Sequence, residues 1–582
     1  MSAVMWQRPV PLVGDVSAAS QRAADPQGWA FPPEQREALY AVMDARRDVR
    51  RFRPDPVPAE VLERVLTAAH RAPSVGHSQP WRFVVVRDAA ARERAALMAD
   101  RERLRQAAKL APDAARRLLD LQLEGIREAP YGVVVCCDRR TAAAGVLGRA
   151  TFPDADLWSC ACAIQNLWLA ARAEGLGLGW VTLFDPAELA ELLGLPDGVV
   201  TLGWLCLGWP DERPPEPGLQ RAGWSRRLPL SEVVVEDRWP AAEAPSAPVS
   251  HLRAPDQAAV VTARDAADRL LTPPSSLGVL DRTVDKVVAL GHRELAPGTL
   301  VLAAADHPVA GLGVSAYPTE VTREILAAAA AGEAMGATAA RAAGLALELV
   351  DAGVSGPSVA GVTRLTCQDP RGDLAGADAM SVRDTEYLMA AGRELGGNLG
   401  VRGPVALGEV GVANTTVAAA LAAALLEVEP HAVVGLGAGA DSAILERKRA
   451  VVDEALRRAR RTHGGTLRDP MVALAALGGP EVAVLAGVVL GAAAARSVVV
   501  LDGLVTSLAA LVAVEIEPAV AACLVAGQRS RERAHELVLT QLGCEPLLDL
   551  RIRAGEGVGA CLATTVLRQA LAIRATTARV NY

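Results

Sequence analysis

The chain has 582 residues, of which 51% are hydrophobic and 22% are charged. This length exceeds one ordinary core, and the apolar content excludes a chain that is disordered throughout. A formal net charge of −7 argues against a general nucleic-acid or membrane-surface binder. The longest apolar runs, 482–495 and 503–514, are too short to span a bilayer, and the N-terminus lacks a signal-peptide stretch. We therefore expect a cytoplasmic protein without nucleic-acid or membrane partners.

Residues 1–32 are polar and irregular and predict a flexible arm. From residue 33 the pattern alternates between helical periodicity and short β-branched runs, which predicts an α+β domain over 33–238. The predicted helices are 33–43, 58–70 and 156–174, and the predicted strands are 83–86, 133–137 and 199–207.

An Ala/Pro-rich stretch, 239–256, has no apolar periodicity and predicts a linker. The remainder, 257–582, is rich in Ala, Gly and Val, and strand-like runs alternate with Ala-rich helices. That alternation predicts an α/β domain with a mostly parallel, Rossmann-like sheet and helices on both faces. The predicted strands are 299–304, 345–350, 432–436 and 497–501, and the clearest helices are 320–332 and 415–427.

Two short motifs in the first half have the composition of an anion and heterocycle site. The segment RRDVRRFRPDPVP, 46–58, gathers arginines around Asp48, and arginine forks suit a phosphate. A solvated charged turn is the alternative. The segment APSVGHSQPW, 72–81, forms a polar loop that can hydrogen-bond the edge of a planar ring.

Together with the stretches at 123–130, 147–149, 162–181, 204–208 and 223–230, these motifs resemble the nitroreductase-like flavoprotein superfamily. They are most similar to its dimethylbenzimidazole synthase branch, over roughly 33–238. The resemblance implies that reduced FMN is a substrate, which reacts with O2 and fragments to release 5,6-dimethylbenzimidazole. A separate flavin reductase would then supply the reduced FMN.

The resemblance also implies roles for single residues. Asp48 matches the family's essential aspartate, and ring fragmentation requires a positioned acid or base. Thr182 stands where the family has a serine, and it adds a methyl group near the expected place of O2. The implied flavin-binding residues are Arg46, Arg47, Arg50 and Arg227 for the phosphate and ribityl chain, and Ser74, Gly76 and Gln79 for the isoalloxazine.

Two other functions of the first half stay open. In one alternative, the first half is an ordinary NAD(P)H-dependent nitroreductase. In the other, Thr182 makes it an inactive flavin-binding or dimerisation module. Production of dimethylbenzimidazole from reduced FMN separates these alternatives from the synthase.

The second half carries several glycine-rich loops. Those at 408–416 and 435–441 adjoin predicted strands or helices, where backbone amides can hold a phosphate, although each alone is equally typical of an ordinary turn. Lys448 is a phosphate partner or part of a solvated helix face. The pair Asp306–His307 has no further His or Cys at ligand spacing, so we expect no metal.

A third loop, RAGEGVGA at 553–560, places Glu556 between glycines. A carboxylate would repel a phosphate placed against it, so the loop either binds a phosphate despite Glu556 or serves to place Glu556 itself for the chemistry. On the second interpretation the neighbouring glycines leave room for a flat aromatic base.

Residues 255–575 resemble the nicotinate-nucleotide–dimethylbenzimidazole phosphoribosyltransferase family through the stretches 272–282, 303–322, 408–416, 435–441, 477–487, 501–503 and 542–562. The resemblance implies that Glu556 is the general base and that Glu409 assists it. It implies base binding by Ser315 and Tyr317. The implied nucleotide and phosphate ligands are Gly411, Asn414, Thr415, Gly437, Gly439 and Lys448.

The sequence departs from the family at Ala413, at Ala438 and Ala440, and at Ala554, which leaves the preferred benzimidazole open. Both families are dimeric, so a homodimer is expected. Together the halves predict a bifunctional enzyme that builds the lower ligand of cobalamin.

Overall fold

The computed structural model describes residues 17–121, 125–237, 239, 250–437 and 441–580. The chain divides into two compact units: an N-terminal unit, Trp29–Ala244, and a C-terminal unit that combines Met1–Gly28 with Pro245–Tyr582. The first helix, α1 (Ala19–Ala24), therefore belongs to the C-terminal unit. There, Nη2 of Arg22 donates to both carboxylate oxygens of Asp265, at 2.6 and 2.5 Å.

The N-terminal unit contains a four-stranded antiparallel sheet in the order β1-β2-β4-β3. Its strands are β1 (Trp81–Val86), β2 (Tyr131–Asp138), β3 (Gly177–Val181) and β4 (Val199–Gly208). Alternate residues of β2 point to opposite faces, so Val133 and Val135 join one buried cluster and Val134 joins another. The helices are α2 (Pro33–Ala45), α3 (Ala59–His70), α4 (Ala89–Ala107), α5 (Pro112–Asp120), α6 (Ala155–Ala173), α7 (Pro186–Leu193), α8 (Gly218–Arg221) and α9 (Leu230–Val233).

The C-terminal unit contains a six-stranded sheet in the order β10-β9-β8-β5-β6-β7, and every neighbouring pair is parallel. The α/β class predicted from the sequence is confirmed. The strands are β5 (Thr299–Ala305), β6 (Ala346–Gly353), β7 (Thr363–Arg364), β8 (Val405–Val410), β9 (Val499–Leu501) and β10 (Leu524–Ala526).

The helices that surround this sheet are α10 (Gln257–Asp268), α11 (Val279–Ala289), α12 (Glu320–Ala330), α13 (Met335–Ala342), α14 (Val382–Gly400), α15 (Asn414–Leu425), α16 (Pro430–Val433), α17 (Ser442–His463), α18 (Pro470–Leu477), α19 (Pro480–Ala494), α20 (Leu504–Ile516), α21 (Arg533–Gln541) and α22 (Val558–Thr576). Within the described ranges, none of the chain's helices combines the length and apolarity needed to cross a membrane.

The strand predicted at 432–436 is wrong. Pro430 occupies the first position of the short helix α16, where its fixed φ favours a helical turn. Val433 and Val434 are fully buried in the hydrophobic core without joining the sheet. Their β-branched side chains satisfy a packing requirement that the sequence pattern cannot distinguish from that of a strand.

Helices α14 and α19 pack with their backbones in direct contact. An ideal Cβ on Gly392 would lie 2.1 Å from the carbonyl oxygen of Val484, and one on Gly396 would lie 2.1 Å from that of Val488. On α19, Gly491 approaches α14 equally closely. These glycines let two core helices approach closely beneath the sheet.

We predict opposite effects of alanine at two adjacent positions of α14. Gly396→Ala should destabilise the protein by about 1–3 kcal/mol, because its methyl group would overlap the backbone of α19. Gly397 is the matched control: the nearest atom to an ideal Cβ there is 4.0 Å away. Gly397→Ala should therefore stabilise the protein by up to about 1 kcal/mol through helix propensity. Urea unfolding measures both; equal effects would contradict the close packing.

Candidate active sites

The loop before α22 fixes Glu556 against strand β8. Its amide donates to the carbonyl oxygen of Glu409, the fifth residue of β8, at 3.1 Å. The Oε2 atom of Glu556 accepts from the amide of Gly336 at 2.9 Å, in the first turn of α13. Glu556 has a left-handed φ of 61°, which costs a residue with a side chain roughly 1–2 kcal/mol. Such strain is typical of a position that serves a function.

The glycines around Glu556 make close backbone packing possible. An ideal Cβ on Gly557 would lie 2.4 Å from Leu300, one on Gly408 would lie 2.6 Å from the amide of Gly557, and one on Gly336 would lie 2.3 Å from the carbonyl oxygen of Glu556. The expectation that both flanking glycines leave room for a substrate ring is therefore wrong at Gly557. The space beside Gly557 is filled by Leu300, Leu407 and Gly408 and holds no room for a substrate.

Burial and like charges control the carboxylates near Glu556. The pKa of Glu409 is raised to about 8, first by burial and then by the negative charges of Glu481, Asp502 and Glu556. Asn414 opposes this shift by donating from Nδ2 to Oε2 of Glu409. Glu409 is therefore largely protonated at neutral pH, which fits an acid or hydrogen-bond donor better than a second base.

Asp502, directly after β9, is a site residue that the sequence analysis did not select. It is 3% exposed, and burial raises its pKa to about 7. Its Oδ1 accepts from the amide of Gly559 at 2.7 Å and from Nε2 of Gln528 at 3.1 Å. The carboxylate thus caps the first turn of α22, the helix that begins two residues after Glu556. The position of Asp502 directly after a predicted strand is the signal that could have identified it.

A second cluster brings together Thr415, Gly437 and Lys448. The Lys448 ammonium is buried and donates to Oγ1 of Thr415 at 2.8 Å, so the alternative of a solvated helix face is wrong. Burial lowers the pKa of Lys448, and the negative charge of Glu532 partly opposes that effect. The amide of Gly437 donates to Oε1 of Glu532 at 3.0 Å. Gly439 lies outside the described residues.

The loop between β8 and α15 joins the two clusters. An ideal Cβ on Gly411 would lie 2.7 Å from the carbonyl oxygen of Ala305, so the loop runs directly against the end of β5. Ala413 has a left-handed φ of 70°, the conformation that a glycine there would adopt without strain. Asn414 contacts Glu409 by its side chain, and Thr415 contacts Lys448. The loop and the first turn of α15 therefore connect the carboxylate cluster to the lysine.

Ser315 and Tyr317 lie in the segment before α12. The amide of Tyr317 donates to Oγ of Ser315 at 3.1 Å, and the tyrosine side chain is 49% exposed. Helix α12 contacts the loop after β8, because the amide of Val412 donates to Oγ1 of Thr322 at 3.1 Å. This contact connects the segment to the carboxylate cluster.

In the N-terminal unit, Asp48 lies against the edge strand β3. The amide of Trp180 donates to Oδ1 of Asp48 at 3.1 Å, and Arg50 pairs with the other carboxylate oxygen. An ideal Cβ on Gly179 would lie 2.3 Å from the carbonyl oxygen of Val49, so the glycine permits this contact. Burial raises the pKa of Asp48, although Arg50 and the Trp180 amide oppose the shift. A raised pKa with a specific charged partner is typical of carboxyl groups at functional sites.

Three arginines gather beside Asp48. The Arg46 guanidinium stacks 4.6 Å from the ring centroid of Trp168 on α6. Burial lowers its pKa, and the positive charges of Arg227 and Arg47 lower it further, which shows that the three lie within electrostatic reach. Arg47 donates to the carbonyl oxygens of Arg46 and Pro215, both at 2.9 Å, and so also secures the local backbone. The cluster fits an anion.

The loop 74–79 is held by hydrogen bonds and is strained. The amide of Gln79 donates to Oγ of Ser74 at 3.0 Å, and the amide of Val75 donates to Oγ of Ser159 on α6, also at 3.0 Å. Gly76 adopts its φ of 54° without strain, whereas His77 and Gln79, with φ values of 53° and 47°, are strained. Left-handed conformations in a polar loop are typical of ligand contacts. Helix α6 therefore supports both this loop and the Arg46 side chain.

Thr182 is exposed and follows β3 directly. It stands two residues beyond Trp180, whose amide binds Asp48. An ideal Cβ on Gly203 would lie 3.3 Å from the methyl carbon of Thr182, which places that methyl group against β4.

The folds and sites define two enzyme classes in one chain. The C-terminal unit matches the phosphoribosyltransferase family model over residues 252–581, and the N-terminal unit matches the nitroreductase family model over residues 43–209. The chain belongs to this phosphoribosyltransferase family and carries a nitroreductase-family domain in front of it.

Particular relatives are similar to each half. A 5,6-dimethylbenzimidazole synthase of Rhodospirillum rubrum is 45% identical over 204 residues, which are 35% of this chain and 96% of the relative. A nicotinate-nucleotide–dimethylbenzimidazole phosphoribosyltransferase of Pelodictyon phaeoclathratiforme is 39% identical over 318 residues, 53% of this chain and 89% of the relative.

The crystal structure of CobT from Thermus thermophilus is 39% identical and superposes with a TM-score of 0.52, covering 55% of this chain and 97% of that chain. The fusion of two families inferred from the motifs is confirmed.

Proposed function

We propose that the chain is a bifunctional enzyme of cobalamin lower-ligand assembly. The N-terminal unit would convert reduced FMN and O2 to 5,6-dimethylbenzimidazole. The C-terminal unit would transfer phosphoribose from nicotinate mononucleotide to that base. The observation that carries the proposal is the presence of both halves in one chain, each matching most of the length of a relative whose name states one of these activities.

In the transfer reaction, Glu556 would accept the N–H proton of the benzimidazole. The nitrogen lone pair would form the bond to C1′ of the nucleotide, and nicotinate would leave with the electrons of the broken C–N bond. The Gly336 amide holds one oxygen of Glu556, which leaves the other oxygen for the proton. Protonated Glu409 would donate a hydrogen bond beside it, because its pKa of about 8 keeps it neutral.

The remaining site residues would bind the two substrates. Lys448 and Thr415 would hold the phosphate, since their polar atoms converge at Gly437. A buried ammonium is stabilised by a bound anion, which would also restore its ordinary pKa. The exposed Tyr317 and its partner Ser315 would flank the benzimidazole. Gly411, Asn414 and Gly439 would complete the nucleotide side.

We predict that Glu556→Gln lowers kcat for transfer by roughly 10²–10⁴-fold, because the amide cannot accept the proton. Its carbonyl oxygen can still accept from Gly336, so binding of nicotinate mononucleotide should change little. Chromatography of the α-ribazole 5′-phosphate formed over time gives the rate of transfer. Asp549→Asn, at an exposed nearby carboxylate, is the control and should keep full activity. Full activity of Glu556→Gln would remove Glu556 from the mechanism.

The residues of the N-terminal unit fit FMN. The clustered charges of Arg46, Arg47 and Arg227 suit its phosphate, and the strained polar loop 74–79 suits the edge of its ring. Bound reduced FMN would supply both the electrons for O2 and the atoms of the product. Asp48, held by Arg50, would move protons during fragmentation, and Ser74, Gly76 and Gln79 would orient the ring.

We predict that the synthase half is active and that Thr182→Ser accelerates it by roughly tenfold, about 1.4 kcal/mol, because removal of the methyl group widens the expected O2 site. Purified protein receives reduced FMN and air, and mass spectrometry measures dimethylbenzimidazole. If neither version forms product although both bind FMN, the first half is a binding module. Oxidation of NAD(P)H by nitro compounds without dimethylbenzimidazole would identify it as a nitroreductase.

We further propose a homodimer formed through the N-terminal unit. Helix α2 exposes Leu39, Tyr40 and Met43, and α6 separately exposes Trp158; a second copy would cover these apolar side chains. A separate flavin reductase would deliver reduced FMN, and the cytoplasm is where we expect both partners to meet.

A further inference from the structure

A glutamate carboxylate lies inside the loop that we propose to hold the substrate phosphate. Glu532, the residue directly before α21, accepts from the amide of Gly437 through Oε1 at 3.0 Å. An ideal Cβ on Gly435 would overlap Oε2 of the same carboxylate. This oxygen is enclosed, and within the described part of the chain it accepts no hydrogen bond. One backbone donor of the loop is therefore taken by an anion of the protein itself.

The donors expected to bind the phosphate surround the same point. An ideal Cβ on Gly437 would lie 2.9 Å from Nζ of Lys448 and 3.1 Å from Oγ1 of Thr415. Lys448 is 2% exposed and donates to that hydroxyl group. A buried ammonium is costly without a negative partner, and the charge of Glu532 opposes the effect of burial on the pKa of Lys448. The Glu532 carboxylate therefore acts as the anion of this cluster.

A buried network fixes the backbone from which the Glu532 side chain extends. The amide of Glu532 donates to Oγ of Ser530 at 3.0 Å, and the amide of Ser530 donates to Nδ1 of His535 at 2.9 Å. His535 is fully buried, and burial lowers its pKa to about 4, so the ring is neutral. Because Nδ1 accepts a hydrogen bond, the proton lies on Nε2, which faces Oγ of Ser507 at 3.0 Å. This network holds the backbone independently of the contact between the Glu532 side chain and Gly437.

We propose that Glu532 competes with the substrate phosphate for the Gly437 amide and for the charge of Lys448, so that the phosphate displaces the carboxylate when it binds. Two anions at one donor repel each other, which makes the two occupants mutually exclusive. The proposal rests on the phosphate site of the proposed function and adds the residue that sets the affinity of that site. Glu532 weakens binding of the substrate and, equally, of the phosphorylated product, whose release it favours.

Binding of inorganic phosphate to the full-length protein, measured by calorimetry, tests the competition without turnover. Glu532→Gln removes the charge but keeps an oxygen that can accept from the Gly437 amide. It should bind phosphate roughly tenfold more tightly, because the anion no longer has to replace a charged carboxylate beside Lys448. Glu536→Gln, at an exposed glutamate one turn further along α21, is the matched control and should leave the affinity unchanged.

Two further measurements assign the effect to this site. Lys448→Met should lower phosphate affinity by about tenfold or more, with or without Glu532→Gln, because it removes the charge that attracts the anion. In the transfer assay, Glu532→Gln should lower KM for nicotinate mononucleotide and strengthen inhibition by α-ribazole 5′-phosphate by similar factors. A glutamate that merely keeps the loop in shape predicts the opposite, weaker binding of both.

The outcomes separate this proposal from the proposed function. Unchanged or weaker phosphate binding by Glu532→Gln, together with loss of binding by Lys448→Met, overturns the proposal and leaves the phosphate site intact. Phosphate binding that persists unchanged in Lys448→Met overturns the phosphate site of the proposed function, and the proposal with it.

Discussion

The C-terminal site depends on the contact between the loop at Glu556 and strand β8. A single hydrogen bond, from the Glu556 amide to the Glu409 carbonyl oxygen at 3.1 Å, brings the two carboxyl groups together. This approach requires the absence of a side chain at Gly408 and Gly557, where a methyl group would overlap backbone or core atoms. The cost is a left-handed conformation at Glu556, which the surrounding packing must maintain.

This contact brings several carboxyl groups close together, and the surrounding residues reduce the repulsion between them. Glu409 and Asp502 have raised pKa values of about 8 and 7, so part of the charge is neutralised by protons that the folded protein retains. Helix N-termini stabilise the remaining negative charge: amides in the first turns of α13 and α22 donate hydrogen bonds to Glu556 and Asp502, respectively. Lys448, which we propose to bind the phosphate, lies in a separate cluster with Thr415, apart from the proposed base Glu556.

Much of this arrangement could be predicted from the sequence, because the periodicity and the order of the motifs are local signals. The strand at 299–304 and the helix at 320–332 match β5 and α12 within two residues. The strand at 432–436 could not be distinguished from a buried turn, because β-branched residues suit both. Gly557 was misinterpreted for a related reason: what a glycine makes room for depends on contacts with distant segments such as Leu300.

The positions of Glu556, Lys448 and Asp48 followed from motifs, whereas their supporting residues did not. Asp502 is raised in pKa by burial and is held by hydrogen bonds to segments far away in the sequence, and neither effect leaves a local pattern.

In the proposed function, one chain makes the base and then ribosylates it. The most direct measurement supplies the protein with reduced FMN labelled with ¹³C in its dimethylbenzene ring, air and nicotinate mononucleotide, and determines the mass of the nucleotide product. We expect α-ribazole 5′-phosphate that carries the label. Absence of labelled product, while added unlabelled dimethylbenzimidazole is still converted, would contradict the proposed function.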